Sequence, residues 1–194
     1  MKRPVAAIAA ALALVLGLSG CGAANSTQTQ PADKTATASQ TPKKNSRGNI
    51  VKHIGDEAGI TGEDGNDVAD WTVTNIIPDA TCSNPEHQQP EHGHFIELDI
   101  NAKTTEKYDP DKYGSLDVGT AYLWKLIQKD GTQWNGMPGS SAAESCMAET
   151  DKLPGSLNQN AKARGKVIFD VPSLDGTLYY PQMGEGHGWE YPLQ

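Results

Sequence analysis

Across residues 96–102 the chain alternates without a break: Ile96, Leu98, Ile100 and Ala102 are apolar, while Glu97, Asp99 and Asn101 between them are polar. A period of two places the first set on one face of an extended strand and the second on the other. A strand of that kind must bury its apolar face against a second layer, so the chain that carries it is built on sheets. Further strand-like stretches follow the same theme at residues 71–77, 121–127, 165–171, 174–180 and 188–192, and Asp130-Gly131 supplies a turn signal. No stretch shows a helical stripe of ten or more residues; residues 140–153 are the best helical candidate, good for one or two turns. Short strands punctuated by Gly and Pro predict an all-β fold, an antiparallel β-sandwich, with a small β-barrel as the alternative.

The N-terminus has a different character. Lys2 and Arg3 precede an apolar run over residues 5–18, and Leu18-Ser19-Gly20-Cys21 closes it. The run is about fourteen residues, whereas a membrane-spanning helix needs roughly 20. A basic start, a short apolar stretch and small residues at the end form the layout of a secretory signal. The Leu-Ser-Gly-Cys ending resembles a bacterial lipobox. That resemblance implies cleavage before Cys21 and a diacylglycerol on its sulfur, which would place the protein on the extracytoplasmic face of the cell membrane. Two acyl chains give stable anchoring where one gives only marginal binding, at about 0.8 kcal/mol per buried CH₂.

Residues 22–47 are Ala, Ser, Thr, Gln, Asn, Pro and Lys with almost no large apolar side chain, so they cannot offset the entropy of folding. They read as a flexible tether with a reach on the order of 25–30 Å. The expected division is therefore a signal peptide at 1–20, the lipidated cysteine and tether at 21–47, and one folded domain at 48–194. Cleavage would remove Lys2 and Arg3 from 16 basic side chains and none of the 24 acidic ones, taking the net charge from −8 to about −10. An acidic chain with no basic cluster repels phosphate backbones, which argues against nucleic acid as a partner. Cys82 and Cys146, 64 positions apart, are an even pair in an exported domain and are expected to form a disulfide, with free buried thiols as the alternative. Closing that loop removes roughly 4 kcal/mol of unfolded-chain entropy in the simplest model.

The segments Arg47-Gly48-Asn49-Ile50-Val51-Lys52 with Gly55, residues 165–172, and Gly188-Trp189-Glu190-Tyr191-Pro192 resemble the two ends of the mature domain in certain actinobacterial lipoproteins. These lie in or near the DUF4352 group, with the immunoglobulin-like fold of the mycobacterial MPT63 antigen. The resemblance implies an immunoglobulin-like β-sandwich over roughly residues 47–193. It implies no catalytic residue.

The densest chemical cluster is Glu86-His87-Gln88-Gln89-Pro90-Glu91-His92-Gly93-His94. Imidazole and carboxylate suit Zn or Cu. If the strand already includes His92, then His92 and His94 share a face, and a loop carrying His87 reaches the same ion, with His187 as a possible fourth ligand. No zinc-finger or His-Glu-x-x-His spacing supports this, and the plain alternative is a solvated loop. Asp109, Asp111 and Gly114 imitate the start of an EF-hand loop, but Tyr113 and Thr120 stand where further ligands belong. Residues 62–67 read as a solvated turn. Gly139-Ser140-Ser141-Ala142-Ala143 is no nucleophile elbow and reads instead as a serine N-cap. Trp124 belongs to the core, whereas Trp71, Trp134, Trp189, Tyr179 and Tyr180 divide between the core and a carbohydrate or peptide groove. The expected function is a non-enzymatic envelope interaction module that meets the membrane through its lipid and takes an envelope protein or glycan. The alternatives are a metal-binding lipoprotein using His87, His92, His94 and His187, and an envelope hydrolase.

Overall fold

A computed structural model describes residues 44–181 and 187–193. Its strands are β1 (Ile50–Val51), β2 (Glu57–Thr61), β3 (Asp67–Pro78), β4 (His94–Thr104), β5 (Lys125–Gln128), β6 (Lys162–Val171), β7 (Gly176–Pro181) and β8 (Gly188–Pro192). They form two four-stranded sheets, β1-β8-β7-β5 and β2-β3-β4-β6. All pairings are antiparallel except β1 with β8, which is parallel. This is an all-β sandwich. The alternating strand sits at its heart: Ile96, Leu98, Ile100 and Ala102 of β4 all face the shared core.

That core is aromatic. Trp71 of β3, Trp124, Phe169 of β6, and Tyr180, Trp189 and Tyr191 of the opposite sheet are buried together. The Trp71 ring meets Trp189 edge-on at 4.5 Å and Tyr180 at 5.5 Å between centroids. Each buried indole finds an acceptor: Trp71 Nε1–H donates to the Tyr191 hydroxyl at 2.9 Å, and Trp124 Nε1–H to the Val118 carbonyl at 3.1 Å. Three of the four tryptophans are thus structural, and only Trp134 is half-exposed. Residues 121–127, read as one strand, split in two. Ala121–Leu123 form a 3-10 turn, and the strand begins only at Lys125. The apolar character of that stretch comes from Trp124 and Leu126 reaching the core from different backbone conformations.

A second, smaller apolar cluster lies on the outer face of β2-β3-β4-β6. Phe95 and Ile168 point outward there, out of phase with the core residues beside them, and are covered by Ala142, Ala143, Cys146 and Met147. The cover is α2 (Ser141–Cys146), six residues long. A helix that short is unstable alone. It is held by burial of its alanines and by the Cys82–Cys146 disulfide, with Cα atoms 4.6 Å apart. The bond therefore fastens an outer platform to the sandwich and does not bridge the two sheets. A further short helix, α1 (Pro110–Tyr113), has Asp109 as its N-cap, so the EF-hand look-alike is a capped turn.

The folded unit also takes in the last residues read above as tether. The Arg47 guanidinium reaches Glu190 of β8, Asn49 Nδ2 donates to the same carboxylate at 2.7 Å, and Asn45 Oδ1 accepts from the Arg47 and Asn49 amides. Cys21 and the remainder of the tether lie outside the described residues.

Candidate functional site

The platform on the outer sheet is organised by one buried carboxylate. Asp170 is fully buried at an outward-facing position of β6. An unpaired charge there would cost many kcal/mol. Its oxygens accept from the Glu91 N–H at 2.7 Å, the His92 N–H at 2.9 Å and the Ser140 hydroxyl at 2.8 Å. Charge-assisted bonds of this kind are about twice as strong as neutral ones. Ser140 Oγ also accepts from the Ala143 N–H at 3.0 Å, which makes it the N-cap of α2. The hydroxyl donates directly to the carboxylate, so the pair clamps the start of α2 to β6. The loop carrying residues 79–93 is tied down further by Asn84, whose N–H donates to the Cys146 carbonyl and whose Nδ2 donates to the Ser145 carbonyl.

Beside this platform a groove of about 390 Å³ runs along the free edge of β6. Tyr122, Ala143, Met147, Leu153 and Ile168 line it, and Glu144, Glu149, Lys152 and Lys166 stand around it. Gly139 lets the segment before α2 lie against the Tyr122 ring, since a Cβ there would come within 2.6 Å of it. Burial and the nearby Glu144 and Glu91 raise the Tyr122 phenol, which stays a neutral hydrogen-bonding group at physiological pH. Lys152 pairs with Glu149, and Lys166 with Glu97. Glu144 is exposed and has no cationic partner among the described residues.

The backbone of the groove wall has a gap. On the free edge of β6, the Lys166 N–H donates to the Asp151 carbonyl at 2.8 Å and the Lys166 carbonyl accepts from the Leu153 N–H at 2.9 Å. Four residues on, the Asp170 N–H donates to the Pro138 carbonyl at 2.7 Å. Ile168 lies between with the same parity, so its N–H and C=O point to this edge and not toward β4. Neither has a protein partner among the described residues. No sequence pattern signals this gap, because it is made by segments that stop short of it from both sides.

The histidines do not converge. His87 Nδ1 lies 2.7 Å from the Asn84 carbonyl, His94 Nδ1 lies 2.7 Å from Asp79 Oδ1, and His92 packs edge-on against Trp134 at 4.9 Å between ring centroids. The cause is Gly93, whose φ of +126° breaks the extended backbone before β4, so His92 and His94 share no strand face. His187 lies near Trp189, with ring centroids 6.3 Å apart. Among the described residues no group of three or more His, Cys, Asp or Glu is placed to hold a metal ion.

On the opposite sheet Glu190 is also a buried carboxylate. Burial works against its charge, but hydrogen bonds from Arg47, Asn49 and Asn45 and the guanidinium charge outweigh it and hold the group below its ordinary range. Because the folded pKa lies below the unfolded one, this carboxylate stabilises the fold fully above the unfolded value near 4.5, and the stabilisation is lost as pH falls through the folded pKa. In urea titrations from pH 7 downward, Glu190→Gln is expected to start less stable and to lose less on acidification below pH ~4.5 than the parent. Parallel acid limbs in the two proteins would refute this role.

No protein-family model and no curated protein matches the chain. Among solved structures it is similar to the crystal structure of MPT63, a secreted protein from Mycobacterium tuberculosis, with 17% sequence identity and a TM-score of 0.45. That likeness covers 74% of this chain and 97% of the other.

Proposed function

We propose that this protein is an exported, lipid-anchored interaction module of the cell envelope that holds an extended peptide segment against the free edge of β6. The observation that carries the reading is the unpaired Ile168 peptide group at the wall of a groove. An added strand offers a carbonyl and an N–H at the spacing that such a gap needs, which is the basis of recognition by strand addition. Each backbone bond contributes about 0.5–1.5 kcal/mol. Tyr122, Ala143 and Met147 offer apolar contact for the alternate side chains. Glu144 favours a basic residue beside them. The signal-like N-terminus supports export, and the disulfide suits an oxidising compartment.

The test uses the full chain in a nonionic detergent and a displayed library of linear random peptides. Enriched peptides are expected to carry a Lys or Arg and to slow hydrogen exchange of the Ile168 amide at least tenfold. N-methylation of the one peptide amide that faces Ile168 should abolish binding. Peptides that bind without protecting Ile168, or no enrichment at all, would overturn the reading.

A further inference from the structure

The outer face of β2-β3-β4-β6 beyond the platform is open, and its register brings unlike groups into rows. Lys162 of β6 lies opposite Lys103 of β4, which lies opposite Asp70 of β3. In the next row Arg164 lies opposite Asn101, then Thr72, then Glu57 of β2. Together these side chains line a depression of about 490 Å³. Four strands at roughly 4.8 Å spacing make it about 14 Å across.

Most cations of the fold are already matched: Arg47, Lys103, Lys107, Lys112, Lys129, Lys152 and Lys166 each have a carboxylate within 4.0 Å. Lys44, Lys52, Lys125, Lys162 and Arg164 have none among the described residues, and of these Lys162 and Arg164 are exposed side by side on one strand, although acidic side chains outnumber basic ones in the chain by 24 to 16. They stand two residues apart on the same face of one strand, so their stems are separated by roughly 7 Å. At the other side of the depression, Lys103 is held by Asp70 at 3.1 Å, and Glu57 lies 4.0 Å from the same ammonium. Those carboxylates still have lone pairs that accept hydroxyl protons. Asn101 and Thr72 lie between, with amide and hydroxyl groups of both donor and acceptor kind.

Polar side chains surround the depression, which Ala102 and Ala163 also line, and they are graded, with free cations at the β6 side and hydrogen-bond acceptors at the β2 and β3 side. No aromatic ring lines it, so it lacks the stacking surface that holds a neutral sugar. A purely anionic chain would meet Asp70 and Glu57. An anionic bilayer would meet the same two carboxylates and the negative field of the domain within a Debye length of about 8–10 Å. We infer that the open face around Arg164, Lys162, Asn101 and Thr72 binds a short acidic saccharide, its anionic group on Arg164 and Lys162 and its hydroxyls on Asn101, Thr72, Asp70 and Glu57. The site is separate from the groove beside β6 and does not rest on the peptide reading.

Titration calorimetry on the full chain in a nonionic detergent tests this with carboxylated trigalacturonate, a phosphorylated mannose trisaccharide, neutral maltotriose, polyglutamate, and phosphatidylglycerol vesicles. One of the two anionic sugars is expected to bind saturably and more weakly as salt rises, and which one does so tells carboxylate from phosphate. The double variant Lys162→Gln with Arg164→Gln should lose at least tenfold in affinity with an unchanged thermal midpoint and unchanged peptide capture. Arg164→Lys should fall between, because the planar fork is lost while the charge is kept. Asn101→Ala should weaken the sugar and leave any polyglutamate binding alone. Equal binding of maltotriose, polyglutamate or vesicles would overturn the inference, as would binding indifferent to the double substitution or absent from both anionic sugars.

Discussion

Trp71→Ala is expected to destabilise the domain by about 3–5 kcal/mol, the range for removing a fully buried large aromatic. Small domains have only about 5–15 kcal/mol in total, so the variant would sit near its unfolding limit at 37 °C. The indole has no exposed surface and is wedged between Tyr180 and Trp189 of the facing sheet, so its loss opens a cavity where the two layers meet. It also donates to Tyr191, whose hydroxyl is itself buried and whose phenol is pushed far above its ordinary range, chiefly by desolvation. Trp71→Phe separates the two effects. It keeps most of the ring and strands the Tyr191 hydroxyl, for a loss of about 1–3 kcal/mol. Adding Tyr191→Phe should recover part of that loss, since an apolar pair leaves nothing unsatisfied. Urea midpoints at constant slope measure these variants together with Tyr191→Phe alone. A double variant less stable than the sum of its singles would show that the hydrogen bond is not what couples them.

Cys21→Ala is expected to abolish acylation altogether. In cells fed labelled palmitate, the parent protein should carry the label, and the variant should carry none while keeping residues 1–20, seen as added mass. Cys82→Ala serves as the control and should retain the label. The effect is all-or-none because no other side chain in the signal-like segment is a thiol. Label on the Cys21→Ala chain, or an unmodified N-terminus at another residue in the parent, would remove the anchor from the proposal.

The sheet layers were legible because β4 states its two faces in sequence, and because Pro172 and Asp175-Gly176 punctuate the strands after it. Reading residues 121–127 as a strand failed because apolar character alone does not separate an extended run from a 3-10 turn when both aim side chains at one core. The outer cluster was hidden for a related reason. Phe95 and Ile168 are apolar at positions where the alternation calls for polar groups, and only the folded position of α2 explains them. The histidines are neighbours in sequence but not in space. One glycine in the left-handed region sends His92 and His94 apart. Ser140 was legible as a helix cap, but its partner Asp170, thirty residues later, was not, because a buried carboxylate looks the same in sequence as a solvated one. The roles of Ile168 and Arg164 were equally silent. Each depends on what the neighbouring segments leave uncovered.

The clasp of Arg47, Asn49 and Asn45 on Glu190 also has a mechanical meaning. The chain enters the sandwich at Lys44, and the first strand after it is only two residues long and paired with β8. Two residues of strand are a weak fastening against tension. A guanidinium clasping a buried carboxylate just before that strand would take such a load first, much as a grommet protects a cable where it enters a housing. Force applied from the N-terminal side would meet the contact between Arg47 and the buried Glu190 before it reached the edge of a sheet. Since that grip weakens when Glu190 takes up a proton, an acidic medium loosens the fastening before it disturbs the aromatic interior.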